Sequence, residues 1–91
     1  MNTDFKRSFL NDIKKIKDET LKENIKLLIL AVENAKTKND IPELKKLKGQ
    51  RKGIYYRIKI DNYRIGVTIE NNLITFVVFK PRKDIYKFFP S

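Results

Sequence analysis

The chain contains no cysteine and no histidine. Disulfides, iron–sulfur clusters, the usual zinc sites and every reaction that needs an imidazole base or a thiol nucleophile are thereby excluded. Any catalysis must use Lys, Arg, Tyr, Asp, Glu, Ser or Thr, and neither a metal nor a cofactor is expected. Glycine and proline number three each and never cluster into a linker. Residues 1–91 therefore read as one domain, with no internal repeat and no low-complexity tract. No window approaches the roughly 18 apolar residues of a membrane span, and the N-terminus lacks the continuous apolar stretch of a secretion signal. A cytoplasmic protein is expected. So short a chain buries only roughly 60 to 65% of its unfolded surface, which favours a shallow surface site over an elaborate cleft.

Acidic residues are also scarce, and unevenly so. Residues 1–44 hold nine Lys/Arg and eight Asp/Glu, whereas residues 45–91 hold twelve Lys/Arg and three Asp/Glu. The second half thus carries a net +9 of the chain's +10. A field so one-sided draws polyanions and speeds their encounter, with nucleic acid the commonest and an acidic protein the other. Solubility alone would not require such segregation.

Helical periodicity comes first along the chain and strand periodicity afterwards. Met1–Phe5 is compatible with a short strand. Ser8 is a candidate N-cap for a helix carrying Phe9, Ile13 and Ile16 at helical spacing. A longer helix over about 21–35 stripes Leu21, Ile25, Leu28, Ile29, Val32 and Ala35, and the two helices form a hairpin joined near Asp18–Thr20. Asn39, Asp40 and Pro42 break the pattern, and a basic loop around Gly49 and Gly53 follows, with Gln50, Arg51 and Lys52.

From Ile54 the period becomes two. Ile54, Tyr56, Ile58 and Ile60 alternate with Tyr55, Arg57 and Lys59; then Tyr63, Ile65, Val67 and Ile69 alternate with Arg64, Gly66, Thr68 and Glu70. Asp61-Asn62 and Asn71-Asn72 are tight-turn pairs that tolerate positive φ. Leu73–Phe79 is apolar except for Thr75, as a central strand covered on both faces should be. The expected fold is α+β: an antiparallel meander packed on an N-terminal helical hairpin.

If the helices cover the face of Ile54, Ile58, Ile65 and Val67, then Arg57, Lys59 and Arg64 share the opposite, open face. The tight hairpin sets Lys59 beside Arg64, and opposed like charges on a sheet cost stability unless an anion is meant to sit between them. Lys80, Arg82 and Tyr86 can complete that surface. Strand positions facing water are commonly Lys or Arg, so no one of these residues is diagnostic; the cluster is. Tyr86, with Phe88 and Phe89, has the alternative reading of an apolar tail sealing one end of the core.

The run KLKGQRKGIYYRIKIDNYRIGV (residues 45–67), followed by FVVFKPRKDIYKFFP (residues 76–90), resembles the RelE/ParE toxins of bacterial type II toxin-antitoxin systems. Leu44, Leu47 and Gly49 ahead of the sheet, the Tyr56–Ile60 strand, Asn62-Tyr63-Arg64-Ile65 and the Arg82-x-x-x-Tyr86 tail carry the likeness. The opening Phe5-x-x-Ser8-Phe9-x-x-Asp12-Ile13-x-x-Ile16 extends it over nearly the whole chain. The resemblance implies the order βααβββ, with or without a terminal helical turn, and a cognate antitoxin as partner.

In the ribonuclease branch of that family the toxin enters the ribosomal decoding site and cuts messenger RNA there. By position, Arg57 and Lys59 match the two basic residues of the second strand, Arg64 the arginine of the third, and Arg82 with Tyr86 the C-terminal pair, with Lys80 an alternative occupant of one arginine's place. Many members have His where this chain has Pro81, so the easiest general base is missing. Cleavage by the 2′-hydroxyl needs a base, cations on the phosphorane and an acid for the leaving oxygen. Lys59 among Arg57, Arg64 and Arg82 is the candidate base, because neighbouring cations disfavour its charged form. Arg64 and Arg82 are the candidate clamp. Tyr86 is a stacking, orienting or proton-accepting group. Arg51, Lys52, Arg57, Lys80 and Lys83 are candidate RNA contacts. The rival expectations are a ParE-like toxin acting on DNA gyrase without nuclease chemistry, and an inactive homologue that only binds its antitoxin.

Overall fold

A computed structural model describes residues 1–90. Strand β1 (Asn2–Phe5) leads into helix α1 (Arg7–Lys14) and helix α2 (Glu19–Asn34); then come β2 (Leu44–Lys46), β3 (Tyr55–Ile60), β4 (Tyr63–Glu70), β5 (Leu73–Pro81) and the short helix α3 (Ile85–Phe88). The strands form one sheet in the order β1-β5-β4-β3-β2. The α+β meander β3-β4-β5 is present as the alternation predicts. Two edge strands are added to it: β2, which pairs antiparallel with β3, and β1, which pairs parallel with β5 and makes the sheet mixed rather than wholly antiparallel.

The local signals act as physics dictates. Asp18 caps α2, its carboxylate accepting from the Thr20 and Leu21 amides at 2.9 and 3.2 Å, and so satisfies two of the helix's unpaired donors. Asn71 and Asn72 both adopt positive φ, at 52° and 62°, as a two-residue type I′ hairpin requires. Asp61 turns the preceding hairpin at φ 51°.

Ser8 does not cap α1. The helix begins two residues earlier, with Lys6 in the cap position and no side-chain cap, because Ser8 is used elsewhere: its hydroxyl donates to the Val77 carbonyl. One turn further on, the Asp12 carboxylate accepts the Phe79 amide at 3.0 Å. β1 pairs only with Leu73–Phe76, and beyond it these two α1 side chains satisfy the β5 edge that would otherwise be open to another strand.

The main core lies between the helices and one sheet face. Phe9, Val32, Ile58, Ile65, Val67, Ile74 and Phe76 are fully buried there, each contributing roughly 1.5–3 kcal/mol of burial. The opposite face is not open throughout, contrary to the alternation-based expectation. A second cluster of Val78, Ile85 and Phe89, flanked by Leu47, Tyr55 and Val77, covers part of it. Phe89 is only 2% exposed and rests on Gly66, where a Cβ would lie 2.6 Å from its ring. The strand glycine is thus a seat for an aromatic ring from the tail. Among the described residues no helix is long and apolar enough to cross a membrane.

Candidate nucleic-acid interface

Three arginines reach one region of the sheet by three routes. Arg57 projects from β3, and its Nη1 donates to the Glu43 carbonyl at 3.1 Å. Glu43 presents that carbonyl from a left-handed backbone, φ 56°, just ahead of β2. Arg64 projects from β4, and its Nη1 donates to the carbonyls of Tyr63 at 2.8 Å and Asp61 at 3.2 Å. Arg82 follows β5 and is held by its amide, which donates to the Asn62 carbonyl at 2.8 Å. Each guanidinium has five N–H donors, so the backbone carbonyls fix Arg57 and Arg64 while leaving most of their donors unused.

These charges feel one another. The Arg64 guanidinium is pushed below its ordinary pKa first by burial, then by the charges of Arg57 and Arg82; Tyr86 and Glu43 act in the opposite direction. Arginine stays protonated at any working pH. The consequence is therefore uncompensated positive potential, which an anion would relieve.

Tyr86, on α3, is 64% exposed, whereas Ile85 and Phe89 on either side of it in the chain are buried. The tail therefore divides its roles: Phe89 seals and Tyr86 is presented. Tyr86 and Arg57 line a hollow of about 340 Å³ together with Lys45, Lys46, Lys48 and Gln50. The β2 lysines were not among the sequence-predicted site residues. The basic run 45–52 was visible, but only the unforeseen pairing of β2 with β3 sets Lys45 opposite Arg57.

The other predicted residues fall in different places. Lys59 is Arg64's cross-strand partner, as the hairpin predicts, and its exposed side chain borders a separate hollow with Asn24, Leu27, Pro42 and Glu43. Arg51 and Lys52 are exposed in the loop before β3, and Lys83 is exposed in the turn before α3. Lys80 is not a free cation: its Nζ lies 3.0 Å from the Asp12 carboxylate and 4.4 Å from the Phe88 ring centre. Nothing local to Lys80 marks this, because Asp12 is 68 residues away in sequence.

On the helical side, α1 and α2 leave a groove of about 400 Å³ between them. Its floor is Leu10, Ile13, Ile16, Ile25 and Ile29, and its rim is Lys14, Lys22 and Lys26.

A family model described as the ParE toxin of type II toxin-antitoxin system, parDE, matches residues 4–86. The chain belongs to this RelE/ParE superfamily of toxins. It is 37% identical over 87 residues to Toxin RelE3 of Methanocaldococcus jannaschii, covering 94% of this chain and 96% of the relative. Among solved structures it is similar to the toxin of the RelB–RelE antitoxin–toxin complex from Methanococcus jannaschii, with TM-score 0.78, 34% identity and coverage of 96% and 99% of the two chains. The archaeal RelE–RelB complex from Pyrococcus horikoshii OT3 shares the fold at TM-score 0.72 and 14% identity, over 92% of this chain and 97% of that one. The YoeB dimer from Staphylococcus aureus shares it at TM-score 0.69 and 22% identity, over 88% and 94%. The chain is a RelE-like toxin.

Proposed function

We propose that this toxin is an endoribonuclease that cleaves messenger RNA in the decoding site of the ribosome and stops translation. The observation that carries the reading is the convergence of Arg57, Arg64 and Arg82 beside an exposed Tyr86, on the half of the chain with the excess charge. Arg64 and Arg82 clamp the phosphorane formed when the 2′-hydroxyl attacks, and Arg57 holds the adjoining backbone. Tyr86 stacks on a splayed base or directs the 2′-hydroxyl. Lys59, although Arg64's cross-strand partner, borders the separate hollow beside α2, so the candidate proton acceptor at the cluster is the Tyr86 hydroxyl. Lys45 and Lys46 on β2, with Lys48 just beyond it, extend the anion path. Arg51, Lys52 and Lys83 are outer contacts to RNA phosphates. Work at the ribosome implies a cytoplasmic protein.

The partner that restrains it is an antitoxin with an acidic amphipathic segment, which suits a groove with an apolar floor and lysine rim. The relatives solved with RelB support this partnership. Induced expression followed by pulse labelling tests the target. Protein synthesis should fall before DNA synthesis; the reverse order would point to gyrase, and growth without inhibition would point to an inactive homologue.

A further inference from the structure

The helix that carries Tyr86 is too short to hold itself. It has four residues and no side-chain cap at its N-terminus, and a single turn is unstable in isolation. Ile85 and Phe89 pin it to the sheet from beneath. Those two anchors lie one turn apart on one side, which leaves the helix free to roll about the line joining them.

Phe88 makes the flanking contact. It is 49% exposed, an unusual position for a phenylalanine, and the Lys80 ammonium sits 4.4 Å from its ring centre, within range of a cation–π attraction. Lys80 is itself fixed by the Asp12 carboxylate at 3.0 Å, and the other oxygen of that carboxylate accepts the Phe79 amide at 3.0 Å. Asp12 is only 10% exposed and Lys80 24%. An ion pair this sheltered is costly to break from one side, because the surviving charge loses its partner.

We propose that Asp12 and Lys80 are positioning residues for Tyr86: the chain Asp12–Lys80–Phe88 ties α1 through the end of β5 to α3 and so fixes where the tyrosine ring stands at the basic groove. Lys80 contributes to function by holding protein, not RNA. The functional consequence rests on the ribonuclease reading above; the structural one does not.

Two measurements on Lys80→Met, Lys80→Arg and Asp12→Asn test it. The first needs no RNA: hydrogen exchange of the Lys87 and Phe89 amides, which donate to the Asp84 and Ile85 carbonyls. Lys80→Met and Asp12→Asn should raise exchange there by about tenfold or more while core amides of β4 and β5 keep their protection, and Lys80→Arg should restore it. The second is cleavage of a translated message. The same two variants should lower kcat by about tenfold with KM unchanged, and Lys80→Arg should recover most of the rate. Asp12→Asn is the discriminating variant. It leaves the lysine's charge in place, so a lysine that merely held phosphate would work as well or better after it. Unchanged α3 protection in Lys80→Met, or a rise in KM with kcat intact, would overturn the proposal. If the wild type cleaves nothing, the ribonuclease reading falls while selective loss of α3 protection still upholds the strut.

Discussion

The ring of Phe89 occupies the place where any side chain at Gly66 would stand, with its nearest carbons 2.6 Å from an ideal Cβ there. This contact joins the tail to the sheet and holds α3 against β4. Gly66→Ala must therefore displace a rigid ring packed with Ile85 and Val78, at a cost of about 1–3 kcal/mol. Denaturant unfolding should record that loss. Combining it with Phe89→Leu should cost less than the sum of the two single changes, because each removes the same contact. Additivity would show that the ring yields freely.

Arg82→Ala and Arg64→Ala should each abolish growth inhibition. Arg82 is exposed, so its removal should shift stability by no more than about 0.5 kcal/mol. Arg64 donates to two turn carbonyls, and its loss should cost about 1 kcal/mol. Thermal melts alongside growth curves separate the effects. A folded variant of either kind that remains fully toxic removes the phosphate clamp from the account.

Tyr86→Phe keeps the ring and deletes the hydroxyl. A ring that only stacks should lose little in cleavage rate, whereas an orienting or proton-accepting hydroxyl should cost roughly a hundredfold or more. Tyr86→Ala should be severe in either case, and at 64% exposure neither change should disturb the core. Full activity in Tyr86→Ala would exclude both roles.

Leu10, in the apolar lining of the α1–α2 groove, is 41% exposed. Leu10→Lys should fold, remain toxic and escape neutralisation, because the antitoxin would have to bury an unpaired ammonium. Co-expression with the antitoxin measures this as growth, and undiminished protection would move the antitoxin contact away from the groove.

What the sequence disclosed follows the range of the interactions involved. The helical stripe of α2, the Asp18 junction, the two-residue turns at Asp61-Asn62 and Asn71-Asn72, and the apolar run of β5 are written within ten or so neighbouring residues, and each is found where its pattern lies. β2 is three residues, Leu44–Lys46, too few to display a period of two. The parallel pairing of β1 with β5 joins segments some seventy residues apart, and no local pattern encodes it. The site divides in the same way. The positions of Arg57 and Arg64 and the cross-strand pairing of Lys59 with Arg64 were legible from alternation and turn geometry; that the Lys59 side chain borders a separate hollow beside α2 was not. The commitment of Lys80 to Asp12 was not, nor was the seat of Phe89 on Gly66, which closes part of a face whose alternation reads as open. Two signals for that closure were present, the apolar tail at Phe88 and Phe89 and the strand glycine, since an interior glycine marks a close approach, but neither says which residue meets which.

The central claim is that the arginine cluster and Tyr86 cut messenger RNA with geometry supplied by the ribosome. A compact basic surface holds no rigid cleft that bends a 2′-hydroxyl in line with its phosphate, so it must borrow that alignment. Primer extension on one message incubated with the purified toxin, with and without translating ribosomes, measures this directly. The account predicts cuts within the translated region when ribosomes are present and none on the naked message. Equally efficient cutting of naked RNA, or no cutting on ribosomes by a folded and toxic protein, would contradict it.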